Sequence, residues 1–512
     1  MSATQTSIKR NVLANYVTQI YVMAIGIVMA PVYLHYMGTE AYGLIGFFTM
    51  MAAWFQLLDM GLTPTLIRET ARFRGGAIGV DTLRTFLRAL EAIFAGVSLV
   101  GAAAMILFAH EIATHWLKVQ HLPIVEVTQA VMLMGLAVPL RWVSGLYRGV
   151  VNGFERQVLL GGYNIFIATA RFVGVLAVFA TFGATPVYFF AYQFVVALIE
   201  LGGLAFMTYS LVPRGSGPRE KFSFKPLMGN LTFSLIIAFT ATVWVVATQT
   251  DKLILSKLLT LAEYGMFSIA VVAAGAINAL GAPFGQALLP RLTRLVAEND
   301  AAGTARLYGN ATQAVCVLVA PAVTALCFFA EPILRAWTGN PTIAHHAAPI
   351  LCLYAIGNGW VALMSFAFYI QYAKGDLRLH FIGNVMFLVL LVPLIFWGAV
   401  HYGAIGTGIV WAALNSLYAL GWVPVIHARV LKGQHWKWMM RDIIPIAVPT
   451  VLAGWLLAIL VPWPAGRWPT LAVAAAVGGV LLAVAGGGSS MIRSKAMIQL
   501  APWIARMSKE RP

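Results

Sequence analysis

Apolar stretches long enough to cross a lipid bilayer recur from one end of this 512-residue chain to the other. A transmembrane helix needs about 20 predominantly apolar residues. Only 10% of the residues are charged and the mean hydropathy is +0.82, whereas a soluble domain carries roughly 25% charged residues. The runs lack the alternation of a barrel strand, so helices are the spanning element. The sequence therefore predicts an all-α polytopic membrane protein with about 14 transmembrane helices.

Basic residues are distributed unevenly among the connections between the predicted spans. When the N-terminus is taken as cytoplasmic, most of the 34 Lys and Arg residues fall in the cytoplasmic loops and the two tails. Because such an excess marks the cytoplasmic side, we expect both termini in the cytoplasm. The net charge of +16 then reflects this topology and the anionic lipid headgroups that favour it. Membrane lipids are expected partners, and nucleic acid is not.

The chain also contains a weak internal repeat. The segment YRGVVNGFER at 147–156 matches YIQYAKGDLR at 369–378 in its Tyr, Gly and Arg, with an offset of 222 residues. Such a repeat relates spans 1–6 to spans 7–12 in the same orientation, as in transporters that bind substrate between two lobes near the bilayer midplane. Further matches at offsets of 222 or 220 are Tyr42-Gly43 with Tyr264-Gly265, Asn164 with Asn384, and Gly183-Ala184 with Gly403-Ala404.

The repeat and the composition of the connections divide the chain into five parts. We expect two parallel six-helix lobes in a V-shaped arrangement, a linker rich in Pro and Gly, and two peripheral helices almost without polar side chains. The predicted parts are an N-lobe at 1–212, a cytoplasmic linker at 213–226, a C-lobe at 227–432, accessory helices at 433–491 and a basic cytoplasmic tail at 492–512.

Arg171 falls near the middle of the fifth predicted span. An arginine at that depth costs on the order of 3 kcal/mol and normally faces the bundle interior or a wet cavity. It is expected to pair with Glu200 on the next span or to face an anion, and both are compatible because a paired guanidinium keeps free donors. Arg141 and Arg148 lie seven residues apart on span 4 and therefore share a face. For Arg148 the alternative is a stem that extends to the headgroups.

Other polar side chains within the spans are candidates for contact with the substrate. Asp59 is expected either to pair with a lobe arginine or to carry a coupling proton, and Glu200 is the second coupling candidate. Asp251, with the adjacent lysine, is expected to form mainly a local structural cluster. The further candidates for substrate binding are Asn15, Gln19, Asn164 and Asn358.

Signatures of catalysis and of metal binding are missing from the sequence. There is no Walker loop, and no outer loop exceeds about fifteen residues. The histidines of the outer loops and the three cysteines do not have the spacing of a metal site. The sequence therefore indicates a protein that moves a molecule rather than an enzyme, with no catalytic residue, cofactor or metal expected.

Two stretches resemble a known family. They are PVYLHYMGTEAYGLIGFFTMMAAWFQLLDMGLTPTLIRETAR at 31–72 and TDKLILSKLLTLAEYGMFSIA at 250–270. They resemble the polysaccharide flippases, the Wzx-type O-antigen translocase family, of the multidrug/oligosaccharidyl-lipid/polysaccharide exporter superfamily. The resemblance is carried by a Pro in span 1, a Gly before Glu-x-Tyr-Gly, and Leu-Asp-Met-Gly-Leu.

This resemblance implies a function, a location and partners. Members of the family move a polyprenyl-pyrophosphate-linked oligosaccharide from the cytoplasmic to the outer leaflet of the bacterial inner membrane, for O-antigen, capsule or exopolysaccharide. A polysaccharide polymerase and assembly proteins are further partners. The alternatives are a lipid II flippase, a multidrug cation antiporter, or a non-transporting scaffold of a polysaccharide assembly complex. Arg171, Arg141 and Arg148 are the candidates for binding the pyrophosphate, chosen by their depth.

Overall fold

The computed structural model describes residues 3–214 and 231–494, apart from the side chains of 3–10, 12, 231–237, 240, 282, 283, 286 and 287. The chain divides into two compact units, Met1–Gly265 and Met266–Pro512. Most of the predicted linker at 213–226 and of the predicted tail at 492–512 lies outside the described residues. The five predicted parts stay a prediction.

The first unit is built from helices throughout its described residues. Its last residues, 261–265, are the first residues of the helix numbered α9 below, and the rest of that helix belongs to the second unit. The helices of eight or more described residues that begin in this unit are α1 Ala3–Phe55, α2 Leu62–Arg74, α3 Val80–Leu107, α4 Ile124–Gly153, α5 Gln157–Thr169, α6 Val175–Phe182, α7 Pro186–Leu211, α8 Leu231–Leu258 and α9 Leu261–Ala297.

The second unit is also helical throughout its described residues. Two of its helices continue through a wide π-helical turn, at Tyr418–Trp422 before α14 and at Trp438–Ile443 before α15. The described helices of eight or more residues that begin in this unit are α10 Ala301–Phe328, α11 Ala330–Thr338, α12 Pro341–Ala373, α13 Arg378–Leu417, α14 Val423–Val430, α15 Ile444–Leu460 and α16 Arg467–Gly488.

Eleven stretches among the described residues are long and apolar enough to cross a membrane. Two of them, Leu13–Asp59 and Arg378–Val430, have 47 and 53 residues, far more than the roughly 20 needed for one crossing. The backbone leaves the helical region inside each, at Gly38 and Gly403. The predicted all-α membrane class is confirmed, and the number of fourteen spans stays a prediction.

The repeat is visible in the turns that end equivalent helices. Glu155 after α4 and Gly375 after α12 both have a positive φ, 56° and 72°, in turns with the same hydrogen bonds. They are 220 residues apart, so the alignment at 222 in this segment, which paired Gly153 with Gly375, was wrong by two residues. In the first turn the Glu155 N–H donates to the carbonyl of Asn152, and the Arg156 N–H donates to the carbonyl of Val151. In the second turn the Gly375 N–H donates to the carbonyl of Tyr372, and the Asp376 N–H donates to the carbonyl of Gln371.

Two more pairs of turns follow the same order along the chain. Gly76 after α2 and Asn299 after α9 both have a positive φ, 75° and 56°. Gly183 and Gly403, matched by sequence at an offset of 220, have φ values of 98° and 59°. Such φ values favour glycine because a Cβ would be strained there. Equivalent breaks in the same order support an ancestral duplication.

The last two helices pack on α10 through a polar contact that their own sequences do not reveal. Gln313 of α10 is 1% exposed and donates from its amide nitrogen to Asp442 Oδ1 at 2.6 Å. Its amide oxygen accepts from the hydroxyl of Ser489 at 2.7 Å and from the N–H of Met491 at 3.0 Å. One side chain therefore holds both the start of α15 and the end of α16.

Replacing Gln313 with leucine should lower the free energy of unfolding by about 2–3 kcal/mol. The change leaves the Asp442 carboxylate and the Ser489 hydroxyl without this partner, and an unsatisfied buried polar group costs roughly 1–3 kcal/mol. Thermal unfolding of the purified protein in detergent measures the effect. Asn310→Leu, at an exposed position one turn earlier on α10, is the matched control and should be nearly neutral. Equal stability of the two variants would contradict the assigned role.

Candidate functional site

Two parallel helices of the first unit carry matching polar pairs. Arg141 and Arg148 lie seven residues apart on α4, and Gln193 and Glu200 lie seven apart on α7. Arg141 donates to the side-chain oxygen of Gln193 at 2.5 Å, and Arg148 donates to Glu200 Oε1 at 2.6 Å. In both hydrogen bonds the donor and the acceptor are 52 residues apart in the sequence. The two helices therefore run in the same direction and stay in register over two turns.

Arg171 completes the site from a third segment. Its guanidinium donates to the second carboxylate oxygen of Glu200, Oε2, at 2.5 Å. The Glu200 side chain is only 4% exposed, whereas those of Arg148 and Arg171 are 37% and 24% exposed. The ion pair between Arg171 and Glu200 that the sequence offered is therefore present, and Arg148 joins it instead of only extending towards headgroups.

The backbone around Arg171 forms a wide π-helical turn, Ala170–Gly174, between α5 and α6. Such a turn disrupts the usual hydrogen bonding within the helix and is frequent at functional sites. Side chains from neighbouring helices bond three successive carbonyls here, which holds the turn and with it Arg171 in place. The bonds run from Tyr192 Oη to Ala170 O at 2.7 Å, from Gln193 Nε2 to Arg171 O at 3.2 Å, and from Tyr33 Oη to Phe172 O at 2.7 Å.

The site carries an excess of positive charge. Two guanidinium groups pair with the Glu200 carboxylate, and the third, that of Arg141, bonds Gln193. Three positive charges and one negative charge leave two positive charges among these side chains. The Nε atoms of Arg141, Arg148 and Arg171 are buried and have no hydrogen-bond partner in the described structure. Arg141 also lies over the ring of Phe48, 4.8 Å from its centroid, which stabilises its charge. A guanidinium has five N–H donors, so the group retains donors for an anion.

Asp59 forms no ion pair with an arginine among the described residues, and its role as a carrier of a coupling proton stays a prediction. The helix that contains it ends in a tight turn, because Met60 and Gly61 both have a positive φ, 46° and 72°. The Asp59 carboxylate accepts from the backbone N–H of Thr63 at 3.3 Å and also from its hydroxyl. Asp59 therefore accepts from one of the free N–H groups in the first turn of α2. This local contact accounts for the Asp of the Leu-Asp-Met-Gly-Leu motif.

Asn15 and Gln19 lie one turn apart on α1 and are linked side chain to side chain at 3.4 Å. Further along α1, Tyr21 Oη lies 2.6 Å from the hydroxyl of Thr169, directly before the π-helical turn. Asn164 lies two turns before Arg171 on α5. Among the described residues no hydrogen bond or ion pair joins Asn15, Gln19 or Asn164 to the arginines, so their binding role stays a prediction.

Two predicted residues are occupied by local contacts. Asn358 belongs to the second unit, where it donates to Ala274 O at 2.9 Å and accepts from Trp411 Nε1 at 3.1 Å. Asp251 lies on α8 with Lys252 Nζ at 3.2 Å, in the local cluster expected for it. None of these contacts involves an arginine.

Two polar side chains with structural contacts were not among the residues selected from the sequence. Gln193 shares the seven-residue spacing with Glu200, a signal that could have included it in the site. Glu40 in the Gly-x-Glu-x-Tyr-Gly motif accepts from three successive N–H groups of the loop after α3, at Gln120, His121 and Leu122, at distances of 2.5, 3.0 and 3.2 Å. Its carboxylate therefore ties this loop to α1, a role that sequence spacing does not reveal.

The helical architecture is similar to that of solved membrane proteins. A lipid II flippase, MurJ, in an inward closed conformation superposes with a TM-score of 0.67 at 12% identity, over 96% of this chain and 99% of that one. An inward-facing multidrug resistance MATE family transporter of the MOP superfamily gives a TM-score of 0.63 at 14% identity, over 81% and 94%. At these identities the likeness shows the fold alone.

Sequence comparison places the chain more closely. A family model described as polysaccharide biosynthesis protein matches residues 8–296, more than half of the chain. The chain belongs to this family. A Shigella flexneri protein named "Putative O-antigen transporter" is 23% identical over 394 residues, 75% of this chain and 89% of that protein. The resemblance found from the two sequence stretches is confirmed.

Proposed function

We propose that the chain is a flippase that moves a polyprenyl-pyrophosphate-linked oligosaccharide from the cytoplasmic to the outer leaflet, for O-antigen, capsule or exopolysaccharide. One observation carries this proposal: two arginines on membrane-length helices pair with a single buried carboxylate, and a third arginine lies two turns away on the same helix face. Such a group is expensive in a bilayer and marks a site that handles charge. The family and the relative named for O-antigen support the saccharide part of the substrate.

The charge of the site suits a pyrophosphate esterified at both ends, which carries one negative charge on each phosphate. Two positive charges remain after Glu200 is counted, so such a ligand would neutralise the group. Arginine binds phosphate oxygens through two parallel N–H bonds, which fixes orientation as well as charge. We infer that the pyrophosphate competes with Glu200 for Arg171 and Arg148, and that Glu200 takes both arginines back after release.

Transport would follow alternating access, in which the site faces one leaflet at a time. Exchange between the carboxylate and the pyrophosphate keeps the arginines paired in both the empty and the loaded protein. This reduces the cost of buried unpaired charge at each step. Lipid II shares the pyrophosphate linkage and remains the second candidate, supported by the fold of the MurJ flippase. A cation antiporter is disfavoured because the excess charge here is positive.

The test is transfer between leaflets in proteoliposomes of a fluorescent polyprenyl-pyrophosphate oligosaccharide. Arg171→Ala should slow transfer roughly ten- to a hundredfold, because a charged hydrogen bond contributes about 1.5–3 kcal/mol. Arg171→Lys should retain part of the rate, since it keeps the charge but loses the two-bond geometry.

Arg88→Ala, at an exposed position of α3, is the matched control and should leave transfer unchanged. Thermal unfolding checks that each variant is folded. Unchanged transfer in a folded Arg171→Ala variant would contradict the proposed site. Transfer of lipid II or of a cationic dye in place of the oligosaccharide would reject the proposed substrate.

A further inference from the structure

A pocket of about 440 Å³ opens in the second unit, at the end that the distribution of Lys and Arg predicts to be cytoplasmic. Three segments form it: the turn between α9 and α10, the end of α12, and the loop after α14. Its lining comprises Leu295, Val296, Asn299, Asp300, Ala301, Thr304, Ala305, Lys374, Arg429, Val430, Leu431, Lys432 and Gln434. It belongs to a different unit from the arginine group and is a separate feature.

The charges of this pocket are mostly positive. Lys374, Arg429 and Lys432 line it, against one carboxylate, Asp300. Asp300 already accepts the N–H of Gly303 at 2.7 Å, where it caps α10. The side chains of Arg429 and Lys432 are exposed and make no hydrogen bond or ion pair with another described residue. Two cations at the pocket are thus available to a ligand.

The walls of the pocket are apolar and the loop that forms one side is held in place. Leu295, Val296, Val430 and Leu431 supply aliphatic surface between the charged groups. Lys374 Nζ donates to the carbonyl of Val430 at 2.5 Å, which attaches the loop to the end of α12. A free phosphate would use only the charged groups, whereas an amphipathic anion would use both surfaces.

We propose that this pocket binds the headgroup of an anionic phospholipid from the cytoplasmic leaflet. The phosphate would contact Arg429 and Lys432, and the glycerol and first acyl carbons would lie on the aliphatic walls. Basic side chains near a membrane surface attract anionic lipids electrostatically. The bound lipid would join the α9–α10 turn to the loop that leads into the last two helices.

The experiment measures lipid bound to the purified full-length protein by native mass spectrometry, with phosphatidylglycerol, phosphatidylcholine and inorganic phosphate as probes. One phosphatidylglycerol per chain should be retained in preference to phosphatidylcholine. Changing Arg429→Gln and Lys432→Gln together should weaken its binding roughly ten- to thirtyfold. Neither side chain makes a hydrogen bond or ion pair with another residue that the structure describes, so the variant should fold.

The matched control is the double change Arg306→Gln and Arg378→Gln, at two exposed positions outside the pocket with the same loss of charge. Equal loss of lipid in both double variants would overturn the proposal, because general surface attraction would then account for the binding. Full displacement of the lipid by millimolar phosphate would assign the pocket to a free anion instead. The result does not depend on the flippase assay, since no transport is measured.

Discussion

Glu200→Leu should be among the most destabilising single changes in the first unit, lowering the free energy of unfolding by about 3–5 kcal/mol. Glu200 is the only carboxylate that pairs with Arg148 and Arg171 in the described structure. Its loss leaves two guanidinium groups beside each other without compensation. Because Arg148 is 37% exposed and can reach water, we expect the lower end of this range. Denaturant or thermal unfolding in detergent provides the measurement.

Two further variants distinguish the effect of the lost negative charge on stability from the effect of the changed side-chain packing. Glu200→Gln retains one acceptor for an arginine and should lose less stability than Glu200→Leu. Adding Arg148→Leu to Glu200→Leu removes one of the stranded charges and should restore part of the loss, since contacting residues do not act additively. If Glu200→Leu were as stable as the unchanged protein, the arginines would have other partners and the site described above would be incorrect.

Gly43→Ala should also have a large effect, for a steric reason. A methyl group at Gly43 would lie well inside contact distance of the carbonyl oxygen of Leu261, and one at Gly265 would meet the carbonyl oxygen of Thr39 in the same way. These are backbone atoms, which cannot move aside as the end of a side chain can. We expect a loss of stability at the upper end of roughly 1–3 kcal/mol and reduced yield of folded protein.

The matched control is Gly96→Ala, at an exposed glycine of α3 where nothing lies within 4 Å of an added Cβ. This change should be neutral or stabilising by up to about 1 kcal/mol, because alanine is the better helix former. Thermal unfolding and size-exclusion profiles of both variants provide the comparison. A Gly43→Ala variant that behaves as Gly96→Ala would show that the close approach of these backbones is not required.

The close contact also explains part of the repeat. Tyr42-Gly43 and Tyr264-Gly265 matched in sequence at an offset of 222, and the two glycines lie against each other's helix within the first unit. Small residues allow helices in a membrane to approach closely, and this favours packing where apolar side chains gain nothing over lipid. The sequence alone identified the pair, but a match between two positions does not predict that they touch.

Apolar length and the scarcity of charge determined the class of this protein without any structure, because a chain of this composition has to satisfy its backbone within helices in a bilayer. Spacing of seven residues also predicted correctly that Arg141 shares a face with Arg148, since helical periodicity is local. The depth of Arg171 in its span predicted a partner in the bundle interior, because a charged side chain is costly against lipid.

Only the tertiary structure decided which faces meet. Glu200 receives two arginines from different segments, and Asp59 serves the helix that follows it instead of an arginine. The alignment of the two repeats after α4 has an offset of 220 residues and not the 222 inferred from sequence, because the hydrogen bonds of the turns define which positions are equivalent. Periodicity specifies the direction of a side chain from its own helix, whereas neighbours depend on packing between helices far apart in the chain.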